Sequence, residues 1–221
     1  MVFGKDGEVS VESLATKVNA DLVNNFGNLV HRFGSIIWSK NSRKIPGFRD
    51  LRDLALDLGI EREDEMFDGE EMDILEDLRL SGEKCSDLIN PQNFKTFDYI
   101  EVCLDLLRTG NGYFHKKEPW NMFKSLSEEE LGRGGNKGLM LVNWQLSKCL
   151  FITHQTILQA SLLLNPIIPN STQNILDLYS NESIEGLGRL SLDLQSQDSI
   201  ILTTKPTPIF PRIEIEDTSL K

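Results

Sequence analysis

Apolar residues recur at helical spacing along most of this chain. No proline interrupts residues 9–40, and Ser10 and Ser13 offer N-cap candidates at the start of that run. At about 100° per residue, Leu22, Val23, Phe26, Leu29, Val30, Phe33, Ile36 and Ile37 gather in one arc. Asp21, Asn24, Asn28, His31 and Arg32 fall on the opposite side. The pattern predicts a helix with a dry face for a bundle and a wet face rich in bidentate hydrogen-bonding groups.

The rest of the chain follows the same logic. Pro46 and Gly47 mark a loop, and 51–58 reads as a short helix ended by Gly59. The acidic stretch 61–77 is expected to be a solvated loop leading into a helix around 72–80. A further helix covers 93–107, with 113–115 extending it after a break at Gly110, Asn111 and Gly112. Pro119 can open the next helix as a first-turn proline. Residues 127–138 form a charged, glycine-rich connection. Residues 139–164 then make a long, strongly apolar helix stopped by Asn165 and Pro166, and 169–179 one more. From 196 to 215 prolines and β-branched residues replace the helical period, so that segment should be extended. The expected fold class is all-α: a helical bundle over 10–180, preceded by a linker over 1–9 and followed by an irregular extended C-terminal tail over 181–221.

Composition narrows the function classes. The 221 residues are 39% hydrophobic and 26% charged, ordinary for a globular protein that can bury a substantial core. No apolar run approaches the roughly 20 residues that span a bilayer. Cys85, Cys103 and Cys149 are widely spaced, form no C-x-x-C pair, and with His31, His115 and His154 complete no metal-ligand pattern. Reduced, buried cysteines are the expectation. A net charge of −11 counts against a general nucleic-acid binder. Much of the acid is local, however: residues 61–77 hold ten Asp or Glu and a single Arg. Basic residues gather elsewhere, at Arg32, Lys40, Arg43 and Lys44 and at His115, Lys116 and Lys117. Screening over about 8 Å allows such a local patch to act on an acidic protein.

Two constellations carry candidate chemistry. Asn24, Asn28 and Arg32 are four residues apart on one helix face, where amides can pair with base edges and a guanidinium can fork or stack. Taken alone, the seam also fits a solvated helix face. Trp120 beside Pro119, with a basic run before it, has the composition of a platform on which an unstacked base can lie. Taken alone, it also fits a boundary tryptophan at a helix start. His154, within an apolar helix, reads as a satisfied core or boundary histidine. The glycine-rich run 132–138 lacks a G-K-[ST] ending and reads as a loop. The glutamates at 128–130 read as a solvated helix start. No catalytic residue can be assigned.

Asn19, Ala20, Asp21, Asn24, Asn28, Leu29 and Arg32, followed far downstream by Pro119 and Trp120, resemble the anticodon-binding helical domain of methionine–tRNA ligases. Residues 3–8 look like that family's connection from catalytic core to bundle. Residues 208–214 (PIFPRIE) resemble the closing peptide of its bacterial and organellar members. The resemblance implies that Asn28 and Arg32 contact bases of a CAU anticodon, with Asn24 alongside, and that Trp120 stacks on the first anticodon base over a platform shaped by Pro119. His31, Lys116 and Lys117 become candidate phosphate contacts. The implied partners are methionine tRNA and a catalytic domain in cis or in trans, with no membrane. ATP and magnesium are implied for the full-length family, but neither an H-I-G-H-like nor a K-M-S-K-S-like motif occurs here. The segments 61–77 and 127–138 match nothing in the family pattern and look like insertions. The bacterial-type tail makes the mitochondrial matrix the expected compartment, with the cytoplasm as alternative. A free-standing helical protein-interaction or RNA-binding module, docking through 61–77, is the rival reading.

Overall fold

Ser10 closes the first helical turn as the sequence leads one to expect. Its hydroxyl accepts from the Ser13 amide at 3.0 Å, while its own amide donates to Ser13 Oγ at 3.1 Å. The computed structural model describes residues 10–92, 94–129, 136–180 and 198–214. The expected linker over 1–9, the loop over 130–135 and the first part of the tail lie outside the described residues. In chain order the elements are α1 (Val11–Val18), a π-helical segment (Asn19–Gly27), α2 (Asn28–Lys40), β1 (Lys44–Ile45) and α3 (Phe48–Asp57). They continue with a 3-10 turn (Glu63–Glu65), α4 (Gly69–Leu88), α5 (Thr96–Lys117), α6 (Pro119–Glu129), α7 (Asn136–Leu164), α8 (Pro169–Tyr179) and β2 (Ile200–Ile201).

α7 is the axis of the bundle and packs against α2, α3, α4, α5, α6 and α8. From Leu146 to Leu164 most of its residues are buried all round, the signature of a central rather than a surface helix. Many of its buried polar groups are answered within the helix or by its neighbours. Thr153, Thr156 and Ser161 donate back to the carbonyls of Cys149, Ile152 and Ile157, and Gln159 donates to Ser81 Oγ at 3.0 Å. His154 is the satisfied core histidine expected. Its Nε2 lies 2.7 Å from the Tyr179 carbonyl, which can only accept, so Nε2 carries the proton. The three cysteines are free and buried.

Three expectations change. First, the helix does not break at Gly110, Asn111 and Gly112: α5 runs unbroken from Thr96 to Lys117. A Cβ on Gly110 would come within 2.6 Å of Thr156 Cγ2, so this glycine lets α5 and α7 approach closely. Asn111 donates to the carbonyl (3.0 Å) and to Oδ1 (2.7 Å) of Asn25 in the π segment. Second, Glu128 and Glu129 close helix α6 rather than open a new one. Third, the acidic stretch is less open than a loop. Asp68 caps α4, accepting from the Glu71 amide at 2.9 Å, and Glu71 itself is fully buried.

The extended tail is part of the packed molecule. Lys44 and Ile45 pair antiparallel with Ile201 and Ile200, a two-stranded ladder in a bundle otherwise helical. The chain then runs back along the first helical rod. Pro206 crosses α2 at Gly34, where a Cβ would fall 2.6 Å from its ring, and Phe210 crosses at Gly27 with its ring centroid 5.7 Å from that of Phe26. Asn19 clamps the far end, donating to the Ile213 carbonyl at 2.8 Å and accepting from its amide at 2.9 Å.

Candidate functional site

The site begins with a change of helical type. Over Asn19–Gly27 the first rod widens into a π-helix, so its residues no longer advance at the α-helical 100° assumed from the sequence. Leu22 and Val23 become only half-buried, while Asn24 is exposed. Asn25 turns inward, held by Asn111, and joins Asn19 as a structural amide. Only Asn24 and Asn28 of the seam's asparagines remain exposed. Wide turns of this kind are frequent at functional sites.

One turn beyond Asn28, α-helical geometry has resumed and Arg32 projects onto the start of α6. Its Cζ lies 5.1 Å from the Trp120 ring centroid and 5.4 Å from that of Phe114. Trp120 is half-buried, and its ring meets Phe114 edge-on at 6.1 Å and 74°. Pro119 is buried at the first position of α6. The residue before it, Glu118, takes a left-handed φ of 47° and ends α5, turning the chain so that Pro119 and Trp120 follow at once. The early seam and the distant tryptophan thus meet at one ledge.

Beside that ledge lies a groove of about 300 Å³. Asn24, Asn28 and His31 line one wall, and Pro208, Ile209 and Phe210 of the tail line the other. Arg212 closes the tail side, its guanidinium donating weakly to Asn24 Oδ1 at 3.4 Å. In the sequence the tail reads only as a closing peptide, and neither Arg212 nor Phe114 stands out. Nothing in the spacing of residues 114 and 212 links them to residues 24–32.

Lys116 and Lys117 point elsewhere. Lys116 pairs with Glu70 at 2.8 Å, and Lys117 with Glu71 at 2.9 Å and Asp68 at 3.2 Å. Both ammonium groups are engaged by the acidic helix α4, not by the ledge. Glu71 gathers Lys117, Lys148 (2.7 Å) and the Tyr113 hydroxyl (3.0 Å) into one buried cluster that ties α4 to α5 and α7. Burial works against its charge, but the two ammonium partners win and hold its carboxyl below the ordinary carboxylate value. The predicted basic patch beyond the seam is likewise partly engaged: Lys44 pairs with Asp50 at 2.7 Å, and Arg43 stacks over Trp38 at 4.2 Å.

The ledge holds basic groups free of carboxylates, whereas many basic residues elsewhere are paired. Lys17, Lys84, Arg62, Arg79 and Arg108 all pair with carboxylates. Among the described residues Arg32 and Arg212 make no ion pair. Asn28 and His31 make no hydrogen bond through their side chains among the described residues. Two arginines free of carboxylates, two amides and aromatic rings form a surface able to stack on and hydrogen-bond to a planar, anionic ligand. Among the described residues no group of His, Cys, Asp and Glu is placed to hold a metal ion.

No protein-family model matches the chain. Curated relatives do. The methionine–tRNA ligase of Mycobacterium leprae is 27% identical over 218 residues, covering 96% of this chain and 34% of that protein. Its counterpart in Streptomyces coelicolor is 25% identical over 225 residues, covering 97% and 35%. The apo methionyl-tRNA synthetase of Mycobacterium tuberculosis superposes with a TM-score of 0.72 at 22% identity, over 97% of this chain and 37% of that one. The same enzyme bound to methionyl-adenylate gives 0.72 over 96% and 35%. The chain spans about a third of the length of the curated relatives it matches. Alike in sequence over almost all its residues and alike in fold, this chain is a homologue of the methionine–tRNA ligases.

Proposed function

We propose that this chain is the anticodon-recognising part of a methionine–tRNA ligase. The observation that carries the reading is the Arg32 guanidinium set 5.1 Å over Trp120, one turn from an exposed Asn28 whose side chain has no hydrogen-bond partner among the described residues. The similarity to methionine–tRNA ligases then suggests what lies on that surface. An unstacked base of the CAU triplet rests on the indole, and Asn28 and Arg32 hydrogen-bond to base edges. Asn24 extends the row, and Pro119 fixes the start of the helix that carries the indole. Amide and guanidinium donors left without partners reject a wrong base more strongly than apolar shape does. Methionine activation, with ATP and magnesium, belongs to a catalytic part in cis or in trans. None of the residues described here takes a role in that step.

The test is a titration of a fluorescein-labelled CAU anticodon stem-loop against the full chain. Trp120→Ala should weaken binding by about 1–3 kcal/mol, the loss of one stacked base, while the far-ultraviolet circular dichroism stays unchanged. Affinity should also fall steeply with salt, as phosphate contacts require. A Trp120→Ala protein that binds like wild type would remove the tryptophan from any recognition surface. Salt-insensitive binding would favour a protein-docking role instead.

A further inference from the structure

We infer that Glu71, a buried carboxylate outside the residues that carry the family resemblance, is a positioning residue: it holds the last turn of α5 and so sets Trp120 on the ledge. The inference rests on the anticodon reading above, because it concerns how the stacking platform is held. Each carboxylate oxygen of Glu71 accepts twice. Oε1 takes the Tyr113 hydroxyl at 3.0 Å and the Lys117 ammonium at 2.9 Å. Oε2 takes the Lys148 ammonium at 2.7 Å and the Asp68 amide at 3.1 Å. A carboxylate offers about four such positions, so this one is filled. Its partners come from the N-cap of α4, from α5 and from α7.

Two of the four partners lie at the end of α5. Tyr113 and Lys117 are one turn apart and flank Phe114, whose ring meets Trp120 edge-on at 6.1 Å and lies 5.4 Å from the Arg32 guanidinium. Lys117 leads straight into Glu118, whose φ of 47° is a left-handed conformation that a residue with a Cβ adopts only at a cost. Trp120 follows two residues later in α6. Such a corner persists only where its surroundings over-determine it, and the last turn of a helix, short of partners for its carbonyls, does not do so by itself. Glu71 supplies the missing anchor from another helix. Its third partner, Lys148, lies 4.3 Å from the centroid of the Trp144 ring on α7, the helix against which α6 packs. One carboxylate thus ties the end of α5 to the support of α6.

Glu71→Gln removes a negative charge from a chain of net charge −11, so charge alone calls for tighter RNA binding. A positioning role calls for the reverse. The experiment uses the full chain carrying 5-fluorotryptophan and the labelled CAU anticodon stem-loop, with each fluorine signal assigned by a Trp→Phe replacement. Glu71→Gln, and the milder Lys117→Met that leaves Glu71 paired with Lys148, should each shift or split the Trp120 signal while that of Trp38 stays in place. Each should weaken stem-loop binding about three- to tenfold. No phosphate contact is lost, so the slope of log affinity against log salt should not change. Lys117→Met keeps the test decisive if Glu71→Gln does not fold. An unmoved Trp120 signal overturns the inference, as does affinity equal to or above that of wild type. A salt slope lowered by about one in Lys117→Met also overturns it, making that lysine a phosphate contact. If Trp120→Ala is weakened while both variants bind like wild type, the positioning role alone falls. If Trp120→Ala binds like wild type, the anticodon reading falls and the positioning role with it.

Discussion

Asn19, Asn24, Asn25 and Asn28 are one residue type within ten positions, and the structure gives them opposite tasks. Asn19 and Asn25 are structural, holding the tail and α5 respectively, while Asn24 and Asn28 face the groove. The difference arises from which neighbour each amide meets, something the local sequence does not record. His154 is the opposite case: one histidine in an apolar run read as a core residue, and it is one. Burial pushes its imidazole down to about 4, from an ordinary value of 6.5, against the raising effect of its bond to Tyr179. The folded protein holds the ring neutral, whereas the unfolded chain protonates it below about 6.5. Its contribution is therefore complete above that pH and is lost as pH falls toward about 4, a total of about 3 kcal/mol. Urea unfolding from pH 7 to 5 should show that slope, and His154→Gln, which keeps a donor for Tyr179, should flatten it. An unchanged slope would mean that the ring charges within the fold.

At the scale of elements, α5 shows how a composition signal can mislead. Gly110, Asn111 and Gly112 look like a turn, yet the helix passes through them because Gly110 admits Thr156 of α7 and Asn111 reaches Asn25. Tertiary contact outweighs a helix-propensity cost of about 1 kcal/mol per glycine. Gly110→Ala should consequently destabilise the protein by about 1–3 kcal/mol through overpacking, despite the better propensity of alanine. In a Thr156→Ala background the same change should become neutral or stabilising, since the clashing Cγ2 is gone. Denaturation midpoints of the four proteins would measure the coupling, and additive effects would show that the two helices do not approach as described.

Across the whole molecule, the tail decides how much of the first rod is open to solvent. Glycines 27 and 34 are the two places where it crosses, and neither has room for a Cβ without displacing Phe210, or Pro206 and Tyr179. A chain ending at Leu202 keeps β2 and the bundle but uncovers Phe26 and one wall of the groove. We expect it to retain its helical circular dichroism, to lose about 2–4 kcal/mol of stability, and to lose RNA affinity with it. A truncated chain as stable as the full one would show the tail to be loosely held.

Most helix positions, the Ser10 cap, the Pro119 start and the Asn165-Pro166 stop followed from the sequence because such signals act within a few residues of themselves, whereas the Asp68 cap and the unbroken course of α5 did not. The resemblance carried by residues 19–32 and by Pro119 and Trp120 pointed to the ligases, and the similarity in sequence and fold agrees with it. Long-range geometry decided the rest. Only folding set Arg32 against Trp120, moved Lys116 and Lys117 to α4, wound the seam as a π-helix and drew Arg212 alongside Asn24. Those contacts join residues tens to nearly two hundred positions apart, and their register depends on how several faces pack at once.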